Sequence, residues 1–272
     1  MTAARISVRG ATTALTRRTN LRKAFLAPWH PMVSAIWLYA LAWAQRETGV
    51  AVHHSTLVIN HHHTNVTPSD DDGLSEFTRH LHHDMSCALN TLLANERYDE
   101  PRQLFDGRPT HQLRLLDAAA QASHLVYEHL NPVAAGLVRR PGQMPVTTLD
   151  FGRWKSGPLV VERPPVFFDA SRPQTLELHL TPPPLLYRAF GGDMDALVHH
   201  MSRLSEHGMR ELHRARRGRE PMGARALRRM HPWGEPRTWP RAAASPCTPS
   251  ASGPLTCSAS TRATRSTRRP TR

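Results

Sequence analysis

Val58-Ile59-Asn60-His61-His62-His63-Thr64-Asn65-Val66 decides how the rest of the chain is read. As an extended strand it alternates its side chains, so His61 and His63 project from one face and His62 from the other. Val52 to Ile59 and His61 to Thr67 read as two short strands, with Asn60 near the turn between them. Far downstream lies Tyr127-Glu128-His129-Leu130-Asn131-Pro132-Val133. A helix there stacks Tyr127 and Asn131 on one face, because residues four apart are neighbours, and Pro132 marks where it stops. Two histidines, a third oxygen ligand and a phenol are the parts for a metal-assisted attack on a phosphodiester. One site in which all of them meet is the central expectation.

Outward from the histidines, Thr12 to Thr19 is rich enough in threonine to be a first strand. From Pro31 to Thr48 the residues Met32, Ile36, Tyr39 and Trp43 follow the helical period, and Gly49 stands where a C-terminal cap belongs. Asp70, Asp71 and Asp72 suit the start of the next helix, whose apolar stripe of Leu74, Phe77, Leu81, Met85, Ala88 and Leu92 predicts a span of Leu74 to about Asn95. Glu96 to Thr110 reads as loop, or a short strand around Leu104-Phe105. A helix is expected from about Leu113, packing through Ala119, Ala122, Val126 and Leu130. After Gly136 the chain is proline-rich, with Val146 to Leu149 and Leu159 to Val161 as strands and a last amphipathic helix from Met194 to about Arg217. Strand, helix, strand, strand, helix, short strand, helix is the order of an α+β ferredoxin-like sandwich: a small antiparallel sheet with helices on one face, followed here by a mostly irregular C-terminal extension. We divide the chain into a catalytic domain over 1–145, an accessory strand and helix extension over 146–217, and a basic Pro/Ser/Thr/Arg-rich disordered tail over 218–272.

The formal charge of +13 is unevenly placed: residues 1–24 and 241–272 each carry six basic and no acidic side chains, which leaves +1 for residues 25–240. The body is nearly neutral, so a high isoelectric point alone does not argue for nucleic acid. Three cysteines, Cys87, Cys247 and Cys257, have no paired-ligand spacing, which excludes a disulfide framework and a zinc knuckle. The apolar run Pro31 to Ala44 is too short to span a bilayer and begins too far in for a signal peptide. The expectation is a cytoplasmic protein with no membrane partner.

At Asn60-His61-His62-His63 and Tyr127-Glu128-His129-Leu130-Asn131-Pro132-Val133-Ala134-Ala135-Gly136-Leu137-Val138 the chain resembles the HUH single-tyrosine transposases of the insertion-sequence type, in particular the REP-associated tyrosine transposases. Leu104-Phe105-Asp106-Gly107-Arg108 resembles that family's loop before the tyrosine helix, and the similarity spans roughly Thr16 to Pro145. The resemblance implies His61 and His63 as ligands to Mg²⁺ or Mn²⁺, Asn131 as third ligand and Tyr127 as nucleophile. The implied reaction cleaves and rejoins single-stranded or hairpin DNA through a 5′-phosphotyrosine. Arg17, Arg18, Arg22, Lys23 and Arg108 are the candidate DNA contacts, and the active form is a monomer or a homodimer.

The family's middle residue between the two histidines is ordinarily bulky and apolar. Here it is His62, which has to be buried with a partner or bear the cost of desolvation. Two other readings stand beside the transposase. One is an inactive, domesticated hairpin-binding protein of the same fold, and the other is a structural protein that uses its histidines for metal without DNA. His53, His54, His80, His82 and His83 have no second motif behind them, and Tyr39, Tyr98 and Tyr187 read as core.

Overall fold

The computed structural model describes residues 8–235. Four strands, β1 (Thr13–Arg18), β2 (Ala51–Val58), β3 (His61–Thr67) and β4 (His111–Arg114), form one antiparallel sheet in the order β2-β3-β1-β4. The tight connection at Ile59-Asn60 makes β2 and β3 a hairpin, and β1 lies on the other side of β3, pairing Thr16 with His63, Arg17 with His62 and Arg18 with His61. The connecting helices α1 (Met32–Thr48) and α2 (Gly73–Asn95) lie on the face to which His62 points, where that ring touches Trp37 of α1 and His82 of α2. A third helix, α3 (Ala118–Ala134), covers the opposite face, where His63 and Asn65 meet Glu128. The result is an α+β sandwich with helices on both sides of the central strands.

The stripe read for α2 is buried throughout, while of that read for α1 Ile36 and Tyr39 are buried and Met32 and Trp43 half-buried. Ile36, Trp37, Tyr39 and Leu41 of α1 and Phe77, Leu81, Met85 and Leu89 of α2 have no exposed surface. Gly49 ends α1 in the left-handed region at φ 63°, which glycine adopts without steric cost. Ahead of α2, Asp70 Oδ1 accepts from the Asp72 amide at 3.0 Å.

Several boundaries differ from expectation. The segment expected to begin a helix at Leu113 is the edge strand β4, and α3 starts at Ala118, after Asp117 accepts from the Ala120 amide at 2.7 Å. Pro132 does not stop α3, which runs on to Ala134. Val146 to Leu149 makes only a single bridge, Thr56 to Thr148, and is not a strand.

Beyond Gly136 the chain forms a hairpin of β5 (Leu159–Glu162) and β6 (Thr175–Leu178), the short helix α4 (Pro184–Ala189), the long helix α5 (Met194–Arg216) and the short helix α6 (Ala224–Arg228). Residues 218–235, read as tail from sequence, are packed onto the body. The Trp233 ring stands edge-on to Phe25 at 5.0 Å, and its Nε1–H donates to the Asp99 carbonyl at 2.8 Å. The remainder of the expected tail, from 236, lies outside the described residues, as do Arg5 and the other residues before Val8. Among the described residues no helix is long and apolar enough to cross a membrane.

Candidate active site

Strand alternation brings His61, His63 and Asn65 onto the face covered by α3. His61 lies at the strand's half-buried start, while His63 is 4% exposed. Their rings meet edge to face at 4.9 Å. Asn60 orients the first ring. Its amide nitrogen donates to the Arg22 carbonyl at 3.2 Å, which turns Oδ1 toward His61 Nδ1 at 2.8 Å. An amide oxygen can only accept, so His61 carries its proton on Nδ1 and Nε2 keeps the lone pair. Asn131 lies close enough to the same ring to raise its pKa slightly, against the effect of burial.

His63 Nδ1 lies 3.0 Å from Thr16 Oγ1, its partner across β1 and β3, while Nε2 is buried without any hydrogen-bond partner. Burial pushes the His61 pKa down to about 4, helped by the Arg18 charge beside it, and holds that of His63 well below the ordinary range. Both rings are neutral at neutral pH, which is the form that ligates a metal.

Tyr127 packs against His63 and His124. Its ring centroid is 5.8 Å from that of His63 and 5.6 Å from that of His124, and 49% of the residue is exposed. A tyrosine whose only task were burial would not sit half in solvent above two imidazoles. Asn131 follows one helical turn later on the same face. The four residues singled out in sequence therefore lie together. Among the described residues no three His, Cys, Asp or Glu side chains are grouped to hold a metal ion, so a cation here would rest on two imidazoles and the Asn131 amide oxygen.

Sequence reading missed Glu128. It is fully buried beneath Tyr127, with Oε2 accepting from Asn65 Nδ2 at 2.9 Å. Its Oε1 lies 3.2 Å from His124 Nε2 and 4.0 Å from His63 Nδ1, without a hydrogen bond. The signal was present, since the helical period from Gln121 and Leu125 carries Glu128 onto the inward face.

His62 is fully buried on the other side and has the partners its position requires. Arg17 can only donate, so its guanidinium at 3.1 Å makes His82 Nδ1 an acceptor and His82 Nε2 a donor. That proton goes to His62 Nε2 at 2.9 Å, and His62 Nδ1–H then donates to Thr64 Oγ1 at 3.1 Å.

Arg17 is thereby turned toward the α1 and α2 face, its guanidinium over Phe105 at 5.3 Å, and is half-buried there. The cause is register, because its pairing with His62 puts it on the α1 and α2 face. Arg18, opposite His61, is exposed beside the site. Arg22 is exposed in the loop after β1. Lys23 pairs with Glu235 at 2.9 Å and Arg108 with Asp106.

The fold and this constellation define an α+β protein in which a histidine pair on a central strand faces a tyrosine helix. No family model matches the chain, and no curated protein matches it. Among solved structures it is similar to a REP-associated tyrosine transposase bound to a REP hairpin, at 18% identity and a TM-score of 0.40, over 54% of this chain and 81% of that one.

Proposed function

We propose that this chain is a divalent-metal-dependent transposase that nicks and rejoins single-stranded or hairpin DNA, with Tyr127 as nucleophile. The observation that carries the reading is the half-exposed Tyr127 phenol above His63, whose buried Nε2 has no partner. A buried ring nitrogen left without a hydrogen bond is costly in a protein that never fills the position. With the His61 Nε2 lone pair and the Asn131 amide it forms an N,N,O donor set, whose two imidazoles suit a transition-metal dication such as Mn²⁺ better than Mg²⁺. Bound there, a cation would polarise the scissile phosphate and neutralise charge that builds on it.

The chain's own groups do the rest. The Tyr127 phenol loses its proton and attacks phosphorus. The new O–P bond forms as the bond to the 3′ oxygen breaks, leaving a 5′-phosphotyrosine and a 3′-hydroxyl. Attack by another 3′-hydroxyl reverses the step and rejoins strands without an outside energy source. Arg18, exposed beside His61, is placed to meet the DNA backbone.

The test mixes purified protein with end-labelled hairpin oligonucleotides and Mn²⁺, Mg²⁺ or chelator, and reads covalent adduct on a denaturing gel. The expected adduct needs metal and disappears in Tyr127→Phe and His61→Ala. An adduct that persists in Tyr127→Phe removes the nucleophile assignment. Binding without adduct under every condition leaves a hairpin-binding protein.

A further inference from the structure

We infer that Glu128 is the positioning residue that fixes the protonation pattern of His63 and so prepares it to ligate metal, which ties the metal site to the helix that carries Tyr127. This rests on the metal reading above and adds a residue to it. His61 and His63 are oriented by different means. For His61 the partner is an amide oxygen whose direction is fixed, and the ring has one way to protonate. For His63 the hydrogen-bonded partner is the Thr16 hydroxyl, which can give or take a proton. Thr16 alone therefore leaves two tautomers open, and only one of them, protonated on Nδ1, presents the Nε2 lone pair.

The Glu128 carboxylate decides between them. Its Oε1 faces Nδ1 at 4.0 Å from inside the core, where little solvent screens it. A negative oxygen on that side favours the proton on Nδ1 and disfavours a lone pair there. The same field raises the electron density offered at Nε2, as a carboxylate behind a ligating histidine does in metal sites generally. Asn65 Nδ2 fixes Oε2 at 2.9 Å, while Oε1, 3.2 Å from His124 Nε2, makes no hydrogen bond. The remaining hydrogen-bonding capacity of Oε1 is unused, so a closure of about 1 Å would bring it to the His63 Nδ1–H.

The test is Mn²⁺ binding by isothermal titration calorimetry on the DNA-free protein, so it does not depend on nicking. Wild type should show one saturable site, and Glu128→Gln, which keeps the shape and the acceptor for Asn65, should bind 10- to 100-fold more weakly. Glu206→Gln, on the exposed face of α5, serves as the control and should match wild type. Equal affinity in Glu128→Gln and wild type overturns the role of Glu128 while leaving the metal reading in place. No Mn²⁺ uptake by wild type overturns both. Should Glu128→Gln fail to fold, ¹⁵N NMR of wild type still decides: the metal-free His63 ring is expected protonated on Nδ1, and an Nε2–H tautomer refutes the inference.

Discussion

His62 illustrates how a single residue can break a local rule and be accommodated by long-range partners. An imidazole between the sheet and the helices packed on it would be costly alone, but here Arg17, His82, His62 and Thr64 form a chain in which each donor meets an acceptor. His62→Leu removes the acceptor for the His82 Nε2 proton and leaves a buried donor unpaired. It is expected to lower stability by about 1–3 kcal/mol in urea denaturation. An unchanged midpoint would show that His82 finds another partner. At this scale, His61, His63, Tyr127 and Asn131 were legible because alternation along a strand and the four-residue repeat of a helix are local rules. Arg17 and Thr16 were not, because their roles depend on the pairing of β1 with β3, about 46 residues apart, which no local pattern encodes. Glu128 falls between the two. Its inward direction was readable, but the histidines it meets come from the tertiary fold.

At the level of elements, the tyrosine helix α3 is fixed at its C-terminal end by a glycine and an arginine. Gly136 adopts φ +75°, and Arg216 from α5 packs over it while donating to the Val133 carbonyl at 3.1 Å. A Cβ on Gly136 would lie 2.8 Å from the Arg216 guanidinium. Gly136→Ala is therefore expected to cost about 1–2 kcal/mol from backbone strain, together with displacement of that guanidinium. Faster amide exchange in the last turn of α3 would register it, and wild-type protection there would contradict it. The long elements α1, α2 and α5 were legible from their apolar periodicity. β4 was not: it is a four-residue edge strand of His, Gln, Leu and Arg, largely exposed, and carries no apolar alternation to read. Without β4, the start of α3 was placed too early.

For the molecule as a whole, the histidines set the response to acid. His53 and His61 are pushed down to about 4, and His54, His62, His63, His82 and His129 are lowered as well, all through burial first. At pH above the unfolded value of about 6.5 these rings are neutral in both states and cost nothing. Below it the unfolded chain takes up protons that the folded one refuses, so stability falls as pH falls. Each such ring contributes about 1.4 kcal/mol per pH unit. Seven together would exhaust an ordinary stability of about 5–15 kcal/mol within one or two pH units. Unfolding near pH 5, followed by tryptophan fluorescence, is expected, and flat stability from pH 7 to 5 would contradict it. The clasp on α3 has a bearing on when the protein comes to exist. Val126 and Leu130 face Gly208 of α5, and Arg216 closes the helix end, so a chain that has reached only Ala134 lacks the wall that seats its tyrosine. At about 5–20 residues per second, a ribosome adds Arg216 roughly 4–16 seconds after Ala134. A nascent chain would thus carry its histidine pair, Tyr127 and Asn131 for some seconds before α5 could hold the tyrosine helix in place.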